Sequence, residues 1–180
     1  MKIYLAGPEI FLKDVKKINE QKANIIKKLG HTPIIPTEGV ENYLSTISDK
    51  GNAIYLNCIE NLKRSDAILA NITPFRGPSC DVGTAFEIGY ALASNMPVYK
   101  YTNNNETYIS KISNQNQTKK ITIDNETETY DENNYFIEDC GLVDNLMVVE
   151  QQGSPLLMLK SDLTFDIKTF EKAARHFLLK

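Results

Sequence analysis

The chain has 180 residues, of which 42% are hydrophobic and 24% are charged, and its formal net charge at pH 7 is −3. This length and composition predict one soluble globular domain over residues 1–180. The slight negative charge, with dispersed lysine and arginine, argues against a nucleic-acid partner. No apolar run approaches the roughly 18 residues of a membrane span, and the N-terminal apolar run is too short for a signal peptide. We therefore expect a cytoplasmic protein without a membrane partner.

Cysteine and histidine are scarce. The sequence contains three cysteines, which lie far apart, and two histidines. Their spacing fits reduced thiols and offers neither a disulfide framework nor a metal site, and no histidine neighbours a cysteine to favour a thiol nucleophile. The sequence also lacks the glycine-rich dinucleotide loop and the Gly-Lys-Ser/Thr phosphate loop, so we expect no cofactor.

Hydrophobic patterning predicts strands that alternate with helices. The predicted strands cover 3–6, 32–35, 66–72, 97–101 and, as a strand or short helix, 154–159. The predicted helices cover 11–29, 53–62, 86–93 and 165–179, with a loop or short helix in 37–51. Because strands and helices alternate, we expect an α/β domain with a parallel sheet that helices cover on both faces.

Two later segments depart from this alternation. Residues 102–134 are rich in Asn and Thr and have no sustained period, so we predict a polar insertion or mobile flap, with at most a small edge strand at 121–123. Residues 141–149 are more hydrophobic, and their periodicity favours an amphipathic helix with Leu146 and Met147 in the core.

The most informative stretch is 75–90, which joins the third predicted strand to the next helix. A loop in this place lies at the carboxyl end of a strand, where open α/β sheets bind small ligands. Asp81 and Glu87 flank the predicted helix start, where the free N–H groups favour an ionised carboxylate. Thr84 and Glu87 also have the spacing of a capping box, in which Glu87 would only bond the helix N-terminus. The spacing alone favours the capping box, whereas the tight polar loop before it favours a functional site.

Carboxylate chemistry is the chemistry that these residues support best. Glu87 is the candidate nucleophile, Tyr4 could reach it from an adjacent strand, and Asp81 could bind substrate hydroxyls. A carboxylate that attacks an anomeric carbon through an oxocarbenium-like transition state is the pattern of retaining glycosidases. Water or another acceptor can then resolve the covalent intermediate.

Three motifs resemble the nucleoside 2-deoxyribosyltransferase family. They are IYLAGP at 3–8 with Phe11, the stretch 66–87 that ends in DVGTAFE, and DNLM at 144–147. The resemblance covers well over half of the chain. It implies a flavodoxin-like, doubly wound parallel five-stranded sheet with helices on both faces, and transfer of 2-deoxyribose between nucleobases without a cofactor. The FRGP loop at 75–78 and the sequence AFE at 85–87 are most similar to the purine-specific branch.

The resemblance also implies roles for individual residues. Glu87 matches the family's nucleophile, Tyr4 the tyrosine that holds this carboxylate, and Asp81 the residue that binds deoxyribose hydroxyls. Asn145, with Met147 beside it, matches an asparagine that completes the sugar site of a neighbouring subunit. This implies a homo-oligomer built from dimers, with a hexamer as one form. The other expected substrate-binding residues are Gly7, Phe11, Phe75, Arg76 and Gly77.

One position departs from the family pattern. Many members carry an aspartate that contacts and protonates the departing base, eight residues before the position of Asp66, and here that position is Cys58. A thiol is a poor acid for this task. Activation of the base must then come from elsewhere, with Asn57, Glu60, another loop or water as candidates, and the base preference is left open.

Three functions stay open at the level of sequence. The first is the transferase, acting in purine salvage on nucleosides and nucleobases through a deoxyribosyl ester of Glu87. The second is an N-glycosidase of nucleosides or nucleoside 5-monophosphates with water as acceptor; Arg76 favours a phosphate and Asp81 disfavours it, because like charges repel. The third is a nucleotide-binding module without turnover, since a fold does not determine a function.

Overall fold

A computed structural model of the chain describes residues 1–150 and 153–179. The strands are Lys2–Ala6 (β1), Thr32–Ile34 (β2), Ala67–Asn71 (β3), Val98–Thr102 (β4), Thr118–Ile123 (β5), Glu126–Asp131 (β6) and Leu156–Met158 (β7). The α-helices are Val15–Lys28 (α1), Val40–Leu44 (α2), Lys50–Lys63 (α3), Val82–Ala93 (α4), Tyr108–Gln115 (α5), Leu146–Val149 (α6) and Ile167–Leu178 (α7). A 3-10 turn covers Pro8–Phe11. None of the helices in these ranges combines the length and the hydrophobicity that a bilayer crossing requires.

Five strands form one sheet in the order β2-β1-β3-β4-β7, and each neighbouring pair is parallel. The chain moves from β1 outward to β2 and then returns to pair β3 with the other side of β1. This reversal is the topological switch point of a flavodoxin-like doubly wound sheet, and ligands bind outside the carboxyl ends of the strands there. The predicted fold class is confirmed.

Two hydrophobic clusters cover the two faces of the sheet. Ile3 and Leu5 point into the cluster with α1 and α7, whereas Tyr4 points into the cluster with α3 and α4, to which Leu62 and Ile88 belong. This division follows from the strand itself, because successive side chains point to opposite faces. As a result, Tyr4 lies on the same face of the sheet as α4.

Two predicted helix starts are wrong. The helix predicted from residue 11 begins at Val15, because the chain first makes the 3-10 turn that leaves β1. The helix predicted from residue 86 begins at Val82, because Asp81 is its N-cap: its Oδ2 accepts from the backbone N–H of Thr84 at 3.0 Å and from the Thr84 hydroxyl at 3.2 Å. The capping-box hypothesis is therefore wrong, and Glu87 lies in the second turn of α4, beyond the cap.

The polar segment 102–134 has more regular structure than its composition predicts. It contains α5 and an antiparallel hairpin of β5 and β6 that forms a sheet of its own. Asp124 and Asn125 turn the hairpin with φ angles of 50° and 68°, a left-handed conformation that these two residue types tolerate. The predicted edge strand at 121–123 is the end of β5. The hairpin was missed because its strands are mainly polar on both faces.

The amphipathic helix predicted over 141–149 is also wrong in extent. Only the single turn α6 is helical, with Asn145 as its N-cap. Leu146 and Met147, which the periodicity places in the core, are 37% and 75% exposed, and Val148 is the buried residue of the turn.

Candidate active site

Tyr4 and Glu87 meet at the switch point of the sheet. Tyr4 reaches this place from β1 and Glu87 from the second turn of α4, and the Tyr4 hydroxyl donates a hydrogen bond of 2.5 Å to Oε1 of Glu87. Tyr4 is fully buried and Glu87 is half-buried. The structure thus brings together the two residues that the sequence motifs single out as nucleophile and supporting tyrosine.

Burial shapes the protonation of both groups. It raises the pKa of Glu87 to about 7, against the lowering effect of the Tyr4 hydrogen bond and with a further increase from the charge of Asp81. Burial, and then the charge of Glu87, raise the pKa of Tyr4 far above its ordinary value, so Tyr4 remains a neutral hydrogen-bond donor. A carboxylate with a pKa near neutrality combines an ionised form with greater basicity than an ordinary glutamate, and such shifts are typical of functional sites.

Asp81 lies at the N-terminus of the helix that carries Glu87. Both of its hydrogen bonds to Thr84 use Oδ2. Gly83 leaves room for this arrangement, since a Cβ at that position would lie 3.0 Å from the same oxygen. Within the described residues, the hydrogen bonds of this side chain leave Oδ1 available to a hydroxyl group.

An aromatic pair lies in the loop region of the site. Phe11 and Phe75 stack with ring centroids 5.2 Å apart and planes inclined by 11°. The guanidinium of Arg76 lies 4.6 Å from the Phe75 centroid and 5.1 Å from that of Phe11, which is 51% exposed. Gly77 follows in a loop that the hydrogen bond from Phe75 N to the carbonyl of Ser79, 2.9 Å long, closes. Flat aromatic faces of this kind suit a planar heterocycle.

Gly7 lies over a buried ion pair that sequence reasoning missed. A Cβ at Gly7 would approach Oε2 of Glu9 to 2.3 Å and Cβ of Asn71 to 2.8 Å. Glu9 is buried and ion-paired with Lys22 of α1, and the Asn71 amide donates to Oε2 of Glu9 at 3.2 Å. The spacing of Lys22 could have indicated its burial, because Lys22 lies four residues before Ile26 and therefore on the same inward face of α1.

Cys58, which stands where many family members have an aspartate, lies beside the Tyr4–Glu87 pair. Its thiol donates to the carbonyl of Pro36 at 3.7 Å, and burial together with the charge of Glu87 raises the pKa of Cys58. The thiol therefore stays protonated. Of the proposed substitutes, Asn57 donates its amide to Pro36 at 2.8 Å, and Glu60 pairs with Lys63 on the exposed side of α3.

Asn145 is the N-cap of α6, and Met147 lies in its single turn. The side-chain Oδ1 of Asn145 accepts from Met147 N at 2.9 Å, and its side-chain amide donates to Oε2 of Glu138 at 3.0 Å. None of the hydrogen bonds found within residues 1–150 and 153–179 joins Asn145 to Tyr4 or Glu87. Met147 is 75% exposed. The turn therefore presents Met147 outward, away from its own core.

The fold and this pair of side chains define an α/β domain of flavodoxin-like topology with a glutamate–tyrosine site at its switch point. A sequence model of the nucleoside 2-deoxyribosyltransferase family matches residues 3–147. The chain belongs to this enzyme family. The match includes all three motifs, the Tyr4–Glu87 pair and the first two residues of α6.

Individual proteins are also similar to this chain. A 2-desoxiribosyltransferase from Leishmania mexicana is similar in structure over 98% of this chain and 96% of its own, with a TM-score of 0.67 and 25% identity. A conserved protein from Enterococcus faecalis V583 shares the fold, with a TM-score of 0.50 and 22% identity over 94% of this chain and 98% of its own. The uncharacterized protein C191.05c of Schizosaccharomyces pombe is 26% identical over 113 residues, which are 61% of this chain and 54% of that protein.

Proposed function

We propose that the protein transfers 2-deoxyribose from one nucleobase to another, with a preference for purines, through a covalent ester between the sugar and Glu87. The observation that carries this proposal is the hydrogen bond of 2.5 Å from Tyr4 to Oε1 of Glu87 at the switch point of the sheet. This bond fixes the carboxylate and leaves Oε2 as the attacking atom. The structural similarity to the Leishmania mexicana 2-desoxiribosyltransferase over nearly the whole chain supports the same reaction here.

The reaction then takes two displacements. Oε2 of Glu87 attacks the anomeric carbon, the C–N bond to the departing base breaks, and its electron pair stays on the base nitrogen, which takes a proton. A nitrogen of the second base attacks the same carbon and loses its proton to water, while the bond to Glu87 breaks and returns the electron pair to the carboxylate. Both steps pass through an oxocarbenium-like transition state that the negative carboxylate stabilises.

The surrounding residues position the nucleoside. We assign the hydroxyl groups of the sugar to Asp81, whose Oδ1 is available, and the base to the Phe11–Phe75 pair with Arg76 and the Gly7 and Gly77 loops beside it. The protonated thiol of Cys58 holds its proton too firmly to act as the acid. Asn57 is engaged with Pro36, so we infer that water delivers the proton to the departing base.

We also propose that the working form is a homo-oligomer built from dimers. Asn145 and the exposed Met147 would then complete the sugar site of a neighbouring subunit. Two features of the chain support this: Asn145 makes its described hydrogen bonds within its own turn and to Glu138, and Met147 faces outward. The cysteines are free thiols, which fits the reducing cytoplasm. We propose that the protein acts there in purine salvage.

A second candidate function is hydrolysis of a nucleoside or a nucleoside 5-monophosphate with water as the acceptor. The observation in its favour is Arg76, whose guanidinium lies over the Phe11 and Phe75 rings and could bind a phosphate. The carboxylate of Asp81 acts against a phosphate dianion, so we place this function second.

A chromatographic assay separates the two. The protein is incubated with 2-deoxyinosine, with and without adenine, and new nucleoside and free deoxyribose are quantified separately. Deoxyadenosine that forms only with adenine, and faster than free sugar, supports transfer. Free sugar at the same rate in both mixtures supports hydrolysis. Absence of both products contradicts both functions for this substrate, and the Glu87→Ala variant, which we expect to be folded and inactive, is the control.

A further inference from the structure

Helix α5 of the polar insertion buries a lysine. Lys111 is 4% exposed, and it is the buried residue of α5. Its ammonium donates a hydrogen bond of 2.5 Å to the backbone carbonyl of Val143. The backbone of α5 contacts the same segment, because Tyr108 N donates to the carbonyl of Leu142 at 2.7 Å. A helix that only covered the surface would bury an apolar side chain in this place, since burying an ammonium costs free energy.

The segment that Lys111 contacts is the one that carries the DNLM motif. At the start of segment 143–149, the carbonyl of Val143 accepts from Lys111. At its end, the carbonyls of Val148 and Val149 accept from the buried ammonium of Lys100 on β4 at 3.1 and 2.9 Å. Lysines from two different elements thus hold the two ends of this segment. Between these contacts the turn is anchored by Val148, which is buried and belongs to the same hydrophobic cluster as Tyr4 and Ile88.

Asp144 joins this turn to the loop that precedes α4. Its carboxylate is buried and accepts hydrogen bonds from the Ser79 hydroxyl, from Cys80 N at 2.8 Å and from Asn145 N at 2.7 Å. The charge of Asp144 acts on Lys111, and it opposes the lowering of the Lys111 pKa by burial. Lys111 and Asp144 thus interact through their charges, while the hydrogen bond of the Lys111 ammonium goes to the neighbouring Val143 carbonyl.

We propose that Lys111 is a positioning residue, and that the insertion uses α5 to set the place of the Asn145–Met147 turn relative to the loop before α4. Lys111 acts through Val143 and Asp144 and does not touch the substrate. This inference rests on the proposed function, in which Asn145 contributes to a sugar site. It gives the insertion a task in the reaction that its polar composition does not suggest.

The test compares Lys111→Met, which keeps the aliphatic stem and removes the ammonium, with Lys120→Met, which removes an exposed lysine from the hairpin of the same insertion. For Lys111→Met we expect kcat to fall by about 10- to 100-fold, with a smaller change in KM, since misplacing a positioning group costs about this much. Lys120→Met should match the wild type. In the Asn145→Ala background, Lys111→Met should have little further effect, because both changes remove the same positioning.

Hydrogen exchange gives a readout that does not depend on activity. We expect the amides of Cys80, Asn145 and Met147 to exchange at least about tenfold faster in Lys111→Met, while those of β1 and β3 keep their wild-type rates. Three results would each overturn the proposal. They are a normal kcat of Lys111→Met when the wild type is active, an undiminished effect of Lys111→Met in the Asn145→Ala background, and faster exchange throughout the sheet in Lys111→Met. If Lys111→Met does not fold, the same measurements on Lys111→Gln decide. An inactive wild type instead contradicts the proposed function and leaves the exchange result to judge Lys111.

Discussion

Glu87 bears its charge in a place that disfavours charge. Burial raises its pKa to about 7, and the Tyr4 hydroxyl, held neutral by its own burial, is the group that limits this increase. The two residues therefore act as one unit, in which the tyrosine sets both the direction and the basicity of the carboxylate. Removing each residue of the pair in turn tests this dependence.

Replacing Tyr4 by Phe removes the hydrogen bond and keeps the ring. Because this bond lowers the pKa of Glu87, the variant should titrate at a higher pH, and its kcat/KM should rise with pH through a correspondingly higher midpoint than that of the wild type. We also expect kcat to fall by about 10- to 100-fold, from the lost orientation. A pH series of kcat/KM for both proteins measures this. An unchanged midpoint would show that Tyr4 does not control the ionisation of Glu87.

Replacing Glu87 by Gln should abolish turnover and change how stability depends on pH. The folded pKa of about 7 lies above the ordinary value of 4.5, so Glu87 contributes stability that is fully present below pH 4.5 and is lost as the pH rises through about 7. Relative to the wild type, Glu87→Gln should therefore be more stable at about pH 8 than at about pH 5. Urea unfolding of both proteins at the two pH values tests this, and parallel curves would contradict it.

Sequence reasoning reached some of these residues and missed others for a physical reason. Tyr4, Asp81 and Glu87 stand in short motifs that resemble those of a known family. Glu9 and Lys111 are charged residues outside those roles, and their burial follows from the partner that each meets across the fold. Periodicity assigns such residues to the surface, because it carries no information on long-range pairing.

At the scale of elements, the Glu9–Lys22 ion pair ties the turn after β1 to α1. Glu9→Gln keeps the shape and leaves the buried ammonium of Lys22 without its counter-charge, so we expect a loss of about 3–5 kcal/mol in the free energy of unfolding. The double variant Glu9→Gln, Lys22→Met removes both charges and should recover much of this loss. Urea unfolding of the two single variants and the double variant gives the coupling energy. A double variant as unstable as the two losses added together would contradict the pairing.

The elements themselves were predicted unequally. Apolar runs placed β1, β3 and β4 to within a residue or two, because central strands of a parallel sheet are buried on both faces. The starts of α1 and α4 were misplaced, since a 3-10 turn and an aspartate cap precede them and neither changes the hydrophobic period. The α5 helix and the hairpin were missed, because α5 is only eight residues long and the hairpin strands are mainly polar, within a segment rich in Asn and Thr.

At the scale of the whole molecule, the proposed dimer predicts complementation between the inactive Glu87→Ala variant and the Asn145→Ala variant, which should keep only weak activity. Glu87→Ala lacks the nucleophile and Asn145→Ala lacks the group that a neighbour receives, so a mixed dimer has one site with neither substitution. Unfolding and refolding the two variants together should restore up to about one quarter of the wild-type sites. The measurement is deoxyribosyl transfer by the mixture and by each variant refolded alone. No gain on mixing, in a preparation shown to contain mixed dimers, would place Asn145 in the site of its own chain.

Asp81 and Glu87 belong to one continuous helix, with Asp81 as its cap and Glu87 six residues further on. A helix rises about 1.5 Å and turns about 100° per residue. The helix therefore fixes the separation of the two residues along its axis at about 9 Å, and it also fixes the angle between their side chains. The proposed sugar-binding carboxylate and the proposed nucleophile thus share one rigid helix. Adding or removing a single residue between them would turn one carboxylate by about 100° relative to the other and shift it by about 1.5 Å, so the length of this stretch of the chain matters as much as the two acids at its ends.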